Sequence, residues 1–306
     1  MSPTIISDAY INASTPWVSD PIPMQRHQIL ILSVLLCSLM LAAAPRKSKN
    51  KHKMTSPKQT EATVLMRTSL GDITLRLYDD TPRHTANFLK LADEGYYNGT
   101  LFHRVINEFM IQGGDPESKN VAPDKQLGLG DPGYKIEAEF VYPKHFHKRG
   151  ALAAAREGDY TNPTKASSGS QFYIVTGRKF TEGQLDQMQR RMRNQQTQNI
   201  FDSLAQKNRD NIMALRRARN QEGLRALQDS LASEAEALAD KNPATFTDEQ
   251  RQAYTTIGGT PHLDGDYTVF GEVISGMDVV DSIQKVATGP SDRPVKDVKV
   301  LEIKRL

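Results

Sequence analysis

The chain has 306 residues, of which 38% are hydrophobic and 25% charged, and a formal net charge of only +3. That length supports one large or two ordinary domains with a proper core, and the balance of charge and apolarity excludes wholesale disorder. The single cysteine, Cys37, lies in an apolar run, so the folded part holds no disulfide, zinc–thiolate site or cysteine nucleophile.

Residues 1–23 read as an unstructured extension, with Met24 as the expected native start. Met24-Gln25-Arg26-His27 then leads into an apolar stretch at 29–44 that ends in Ala42-Ala43-Ala44. A short basic lead, an apolar core and a small-residue end give residues 24–44 the layout of a secretory signal. Pro45 and the positive charges after it leave an uncleaved membrane anchor through 29–44 as the alternative, since such charges oppose translocation. The expected location is the cell envelope, periplasmic or membrane-anchored, with the cytoplasm as the alternative. Residues 45–61 form a basic linker. Its run Arg46-Lys47-Ser48-Lys49-Asn50-Lys51-His52-Lys53 reads as solvated chain rather than a nucleic-acid contact.

From Ala62 the pattern turns β-like. Two alternating runs, 63–68 and 73–78, flank Leu70-Gly71-Asp72 and predict a hairpin. Thr81-Pro82 opens a helix, with Thr as N-cap and Pro where its missing N–H costs nothing. Ala86, Phe88, Leu89 and Ala92 form its apolar stripe, and Gly95 follows its end. Short strands are expected near 101–106, 108–112, 150–155, 171–176, 267–273 and 295–305, with a second helix at 277–285. Many short strands with two helices argue for a barrel rather than a parallel α/β sheet.

Residues 179–251 interrupt this pattern with Gln-, Arg-, Ala- and Leu-rich sequence. Leu185, Met188 and Met192 recur at helical spacing, as do Leu224, Leu227, Leu231 and Ala235. Two or three helices, arranged as an antiparallel hairpin, are expected.

Three segments, in order, carry a resemblance. They are Phe102-His103-Arg104-Val105-Ile106-Asn107-Glu108-Phe109-Met110-Ile111-Gln112-Gly113-Gly114-Asp115, Ser168-Gly169-Ser170-Gln171-Phe172-Tyr173-Ile174, and Leu263-Asp264-Gly265-Asp266-Tyr267-Thr268-Val269-Phe270-Gly271. Together they resemble the signature segments of the cyclophilins, over residues 62–178 and 252–306. The resemblance implies a closed eight-stranded antiparallel barrel capped by two helices, with 179–251 as a helical insertion. It also implies peptidyl-prolyl cis/trans isomerisation of folding or exported proteins. A non-enzymatic chaperone or assembly scaffold that binds unfolded or proline-containing segments is the alternative.

The implied reaction rotates an amide across a barrier of roughly 18–20 kcal/mol and makes or breaks no bond, so neither cofactor nor metal is expected. It needs an apolar seat for the proline ring and a donor that favours the twisted amide. By the resemblance, Arg104 is the catalytic cation and Gln112 orients it. Phe109, Met110, Tyr173 and Leu263 form the proline pocket, the backbone at Ala155-Arg156 pairs with the peptide, and Gln171 lines the groove. His262 stands where tight cyclosporin binders have Trp, and Tyr267 replaces a common His, so weak cyclosporin binding is expected. The expected partners are proline-containing polypeptide clients and no nucleic acid, with the insertion's Leu and Met stripe as a possible client surface.

The remaining histidines read more plainly. His103 is expected to be a satisfied core residue. His145 and His147, at i,i+2 spacing, are expected to share one side of a strand as scaffold rather than hold zinc. The glycines of Gly128-Leu129-Gly130 lack the Lys-Ser/Thr tail of a phosphate loop and are read as turns and close backbone packing.

Overall fold

The computed structural model describes residues 61–122 and 125–306. The extension, the signal or anchor segment and the linker up to residue 60 lie outside the described residues. No helix among the described residues is long and apolar enough to cross a membrane.

The expected hairpin forms from β1 (Ala62–Thr68) and β2 (Gly71–Leu77). The Thr68 hydroxyl donates to the Gly71 carbonyl at 2.7 Å and accepts from Leu70 N–H at 3.1 Å, which locks the turn. Helix α1 (Pro82–Asp93) follows, with Pro at its first position, but Thr81 makes no side-chain cap. The Glu139 carboxylate caps the helix from 55 residues away, accepting from Arg83 N–H at 3.1 Å and His84 N–H at 3.0 Å. A carboxylate satisfies orphan donors and meets the positive end of the helix dipole, so a remote residue does the work expected of Thr81. The buried stripe of α1 includes Phe88, Leu89 and Ala92, whereas Ala86 is exposed and His84, Thr85 and Leu91 turn inward instead.

The remaining strands are β3 (Arg104–Ile106), β4 (Met110–Gly113), β5 (Lys135–Ile136), β6 (Ala151–Ala154), β7 (Ser167–Ser168), β8 (Phe172–Val175), β9 (Val269–Ser275) and β10 (Val300–Arg305). Eight of them form one sheet in the order β10-β1-β2-β9-β6-β8-β4-β3, and every pair is antiparallel. Strands β5 and β7 make a separate two-stranded ribbon that the sequence pattern does not announce. Register shifts in β1, β2 and β6 curl the large sheet.

The curl stops short of a closed barrel, which corrects the expected closure. β3 and β10 are edges of the sheet and share no ladder. Only the segment before β3 reaches across: Leu101 bridges Lys299, and Phe102 N–H donates to the Val298 carbonyl at 2.9 Å. β3 has only three residues, too short to carry a ladder to the far edge.

Side-chain alternation divides this sheet into two apolar clusters. Inside the curl, Val105, Ile111, Leu152, Ala154, Phe172, Ile174 and Phe270 join residues of β1, β2, α1 and α6 (Met277–Gln284), so the two helices cap the main core. On the other face, Met110, Ala151, Ala153, Tyr173, Val175 and Val269 form a second cluster with Phe109, Leu263 and Tyr267 packed on it.

The insertion folds into α2 (Glu182–Lys207), α3 (Arg209–Arg217), α4 (Gln221–Lys241) and α5 (Asp248–Thr256), more helices than expected. Helices α2 and α4 form the antiparallel pair, with Leu204 on Leu231 and Ala235, and Arg193 paired to Asp240. At the base of α2, Leu185 is buried and Met188 and Met192 are partly buried against Phe146, Phe246 and Tyr254. The stripe proposed for clients is thus occupied by the protein's own aromatics, because the helix base docks on the body.

Gly276 caps α6 at φ +88°, and a Cβ there would lie 2.4 Å from the Asp72 carbonyl oxygen. Gly276→Ala is expected to cost about 2 kcal/mol and lower Tm by about 4–8 °C. Gly183→Ala, in the first turn of α2 with open space around it, is expected to stabilise by about 0.5 kcal/mol. Thermal unfolding of the two variants checks both signs.

Candidate active site

The register that makes the two faces also builds a row. Arg104 on β3 pairs with Gln112 on β4, Gln112 with Tyr173 on β8, Tyr173 with Ala153 on β6, and Ala153 with Val269 on β9. Every second residue of a strand shares a face, so Met110 and Gln112 stand on the same side as Arg104 and Tyr173. Their surface opens into a cavity of about 1060 Å³. Nine of the expected site residues line it: Arg104, Phe109, Met110, Gln112, Ala155, Arg156, Tyr173, Leu263 and Tyr267.

Gln171 and His262 are not part of the lining. Gln171 is buried, and its Nε2 donates to the carbonyls of Gly130 at 2.7 Å and Gly128 at 3.1 Å. That fixes which end of the amide is which. Its Oε1 therefore accepts from Gln112 Nε2 at 3.0 Å, and the Oε1 of Gln112 becomes the acceptor left for the site. The supporting loop is pinned in turn by Asp115, whose buried carboxylate accepts from Gly128 N–H at 2.5 Å. A Cβ on Gly130 would fall 2.2 Å from Asp115 Oδ1, and Gly128 holds φ +96°, so one glycine serves close packing and the other a turn, as expected. His262 stacks on Phe109, ring centres 5.5 Å apart, and walls the pocket from outside. Burial, then the neighbouring His147, lowers its pKa below the ordinary histidine value.

Arg104 is half-exposed, and its Nε donates to Asp292 at 3.3 Å. Asp292 ends a 3₁₀ turn, Pro290–Asp292, in which Ser291 and Asp292 both hold the left-handed conformation, at φ +58° and +59°. Two adjacent non-glycine residues held this way are costly, and such strain concentrates at functional sites. Sequence reasoning missed this wall, which includes Gly289, Pro290, Ser291 and Asp292. The Gly-Pro-Ser-Asp run was its only signal.

The backbone at Ala155 is already engaged. Its N–H donates to the Gln171 carbonyl at 2.9 Å and its carbonyl accepts from Ser168 N–H at 2.8 Å. Arg156 differs, since its backbone N–H and C=O have no partner among the described residues. Its side chain is locked by Asp266, Glu157 and Asp159 and lies 4.3 Å from the Tyr267 ring centre. Any main-chain pairing with a peptide therefore falls to Arg156.

The histidines depart from expectation. His145 and His147 are not in a strand. His145 stacks on Tyr78 and meets Asp80 at 2.6 Å, while His147 meets Asp264 at 3.0 Å, so the two rings serve different acids. No group of three or more potential metal ligands occurs among the described residues. His103 is buried as expected, but neither ring nitrogen has a hydrogen-bond partner among the described residues. The nearby Asp115 carboxylate accepts from the backbone N–H groups of Glu117 and Gly128 instead.

The family model described as cyclophilin type peptidyl-prolyl cis-trans isomerase/CLD matches residues 63–191 and 237–305. The chain therefore belongs to the cyclophilin-type peptidyl-prolyl isomerases. The internal stretch it leaves unmatched, 192–236, runs from α2 through α3 into α4. A Staphylococcus saprophyticus protein, provisionally described as a peptidyl-prolyl cis-trans isomerase, is 32% identical over 241 residues, covering 78% of this chain and 89% of its own. A Staphylococcus aureus counterpart is 32% identical over 247 residues, covering 80% and 92%. The crystal structure of a cyclophilin type isomerase from Cryptosporidium parvum is similar with a TM-score of 0.46 at 20% identity, covering 80% of this chain and 98% of that one.

Burial pulls the His103 pKa down to about 4, against partial opposition from the Asp115 charge. A histidine depressed in the folded state binds its proton more readily when unfolded, so stability falls as pH drops from about 6.5 towards 4. Urea midpoints measured across this window should fall less steeply in His103→Gln than in the native chain. His84 and His262, also lowered, contribute to the slope that remains, as does Glu272 at its acid end, whose pKa, against burial, is held down by Arg76 and Lys148.

Proposed function

We propose that this chain accelerates rotation about X-Pro bonds in folding or exported polypeptides, with Arg104 as the catalytic cation. The observation that carries the reading is the row Arg104–Gln112–Tyr173, which sets a half-exposed guanidinium at the rim of an apolar pocket. Phe109, Met110, Tyr173 and Leu263 seat the proline ring, Tyr267 bounds the pocket, and His262 backs Phe109. The unpartnered peptide of Arg156 holds the residue before proline in an extended pose, as an added strand would be held.

Rotation removes amide resonance, so the nitrogen recovers its lone pair midway. A guanidinium N–H directed at that nitrogen interacts with it only in the twisted state, and this is the condition for acceleration. The apolar seat acts in the same direction by withdrawing water from the more polar planar amide. An acceleration of 10⁵-fold would need about 7 kcal/mol from these effects together. The Oε1 of Gln112 is free to hold the guanidinium or a peptide N–H. The Asp292 pair does not block the site: both partners are nearly half exposed, 43% and 45%, and such pairs are worth about 0–1 kcal/mol.

An envelope location for this activity rests on residues 24–44 alone. Client contact by residues 179–251 would need a surface other than the Leu185–Met188–Met192 stripe, which is partly taken up by Phe146, Phe246 and Tyr254.

In a protease-coupled assay on an X-Pro peptide, Arg104→Ala should lower kcat/KM by on the order of a hundredfold or more. Asp292→Asn should change it less than about tenfold, since a half-exposed pair is weak. Absence of turnover in the intact chain would return the protein to the binding-scaffold alternative.

A further inference from the structure

Asp264 follows the pocket residue Leu263 and is buried to 1% side-chain exposure. Among the described residues no Lys or Arg pairs with it. Four donors converge on its carboxylate instead. Oδ1 accepts from His147 N–H at 2.8 Å and from His147 Nδ1 at 3.0 Å. Oδ2 accepts from Tyr254 O–H at 2.6 Å and Gln250 Nε2 at 3.3 Å. A carboxylate can only accept, so each proton along this network is assigned. His147 carries its proton on Nδ1, and its Nε2 is left to accept the Tyr173 hydroxyl at 2.9 Å. Tyr173 is the residue of the catalytic row that reaches into the proline pocket.

Tyr254 and Gln250 both belong to α5, which straddles the expected border between insertion and catalytic domain at 251/252. The helix is bound firmly on its other side. The Arg251 guanidinium takes Glu182 at 2.8 Å and Asp186 at 2.9 Å on α2. Phe180 N–H donates to the Tyr254 carbonyl at 2.9 Å. The Gln250 amide is used at both ends, with Oε1 accepting from Thr247 N–H in the helix capping box and Nε2 reaching Asp264. The stems of the insertion also bridge each other, Arg178 to Gly259.

We propose that α5 is part of the support of the proline pocket: Tyr254 and Gln250 are positioning residues that fix Tyr173 through Asp264 and His147. This rests on the isomerase reading given above. Without the chain, Tyr173 would carry a buried hydroxyl with no acceptor and could not keep one orientation against Met110 and Leu263. The hydroxyl keeps its proton, because burial raises its pKa well above the ordinary tyrosine value. The route also gives the insertion a physical link to the pocket. Whatever shifts α2 pulls on Arg251 and so on α5, one helix turn from the Tyr254 hydroxyl.

The test is a double-mutant cycle on the full chain, with kcat and KM for an X-Pro peptide measured separately. Tyr254→Phe keeps the ring and its packing and removes only the hydroxyl. It should lower kcat/KM about tenfold in the native background, a charged hydrogen bond's worth, and less than about twofold in a Tyr173→Phe background, where the last link is missing. An equal loss in both backgrounds overturns the proposal. A second readout does not need turnover. In spectra of chain labelled with ¹³C-tyrosine, the Tyr173 ring resonances should shift in Tyr254→Phe, while those of Tyr97 in the main core stay in place. His147→Gln, which cuts the chain nearer the pocket, should shift the same Tyr173 signals. Tyr173 resonances unmoved in both variants overturn the relay even if the enzyme is active. Shifted resonances in a chain without turnover uphold the relay and overturn the isomerase reading instead.

Discussion

The site depends on one constraint, the pairing register across β3, β4, β8, β6 and β9. Arg104, Gln112, Tyr173 and Ala153 are aligned in a single row because the first three ladders are in phase, and the shift between Leu152 and Ala153 in the β6–β9 ladder sets Val269 at its end. Side chains alternate with period two, so a slip of one residue between β4 and β8 would turn Tyr173 into the main core and bring Phe172 and Ile174 to the cavity. The slip is opposed from both sides, since each face has its own apolar cluster to bury. The energy that holds the fold together and the geometry of the site are thus products of one alternation.

Polar groups finish what the register begins, and they work as directed chains. Asp115 holds Gly128 and packs against Gly130, whose carbonyl with that of Gly128 fixes the Gln171 amide, which fixes Gln112 beside Arg104. Asp264 anchors the second chain, through His147 to Tyr173. Each begins at a buried carboxylate satisfied by several donors rather than by a cation. Such networks are strong when every member is satisfied and costly when one is removed. They approach the pocket from opposite ends, one reaching the cation and the other the apolar wall.

Much of this was legible in the sequence, for identifiable reasons. The β1–β2 hairpin, α1 with Pro82 and Gly95, and the helical insertion follow from local periodicity and turn residues, which is information held within a few positions. The gathering of Arg104, Phe109, Met110, Gln112, Tyr173 and Leu263 followed from the family resemblance, and alternation along the strands makes physical sense of it. What escaped depends on distant partners. Glu139 replaces Thr81 as the cap of α1 across 55 residues. Closure failed because β3 is short, and no propensity scale reports the length of an edge ladder. Among the described residues His103 lacks the partners a buried histidine usually finds. The Leu185–Met192 stripe was read correctly as apolar, but its occupant, the Phe146–Phe246–Tyr254 group, comes from three separate places in the chain.

Acceleration of a rotation without any change in its equilibrium is the central claim, and exchange spectroscopy on an X-Pro peptide tests it most directly. With catalytic amounts of the intact chain, cross-peaks between cis and trans proline resonances should appear at mixing times far shorter than the tens of seconds of the uncatalysed process. The cis and trans populations should stay unchanged, and the effect should be lost with Arg104→Ala. Peptide resonances that shift on binding but show no faster exchange would contradict the account, because the pocket would then hold proline without turning it.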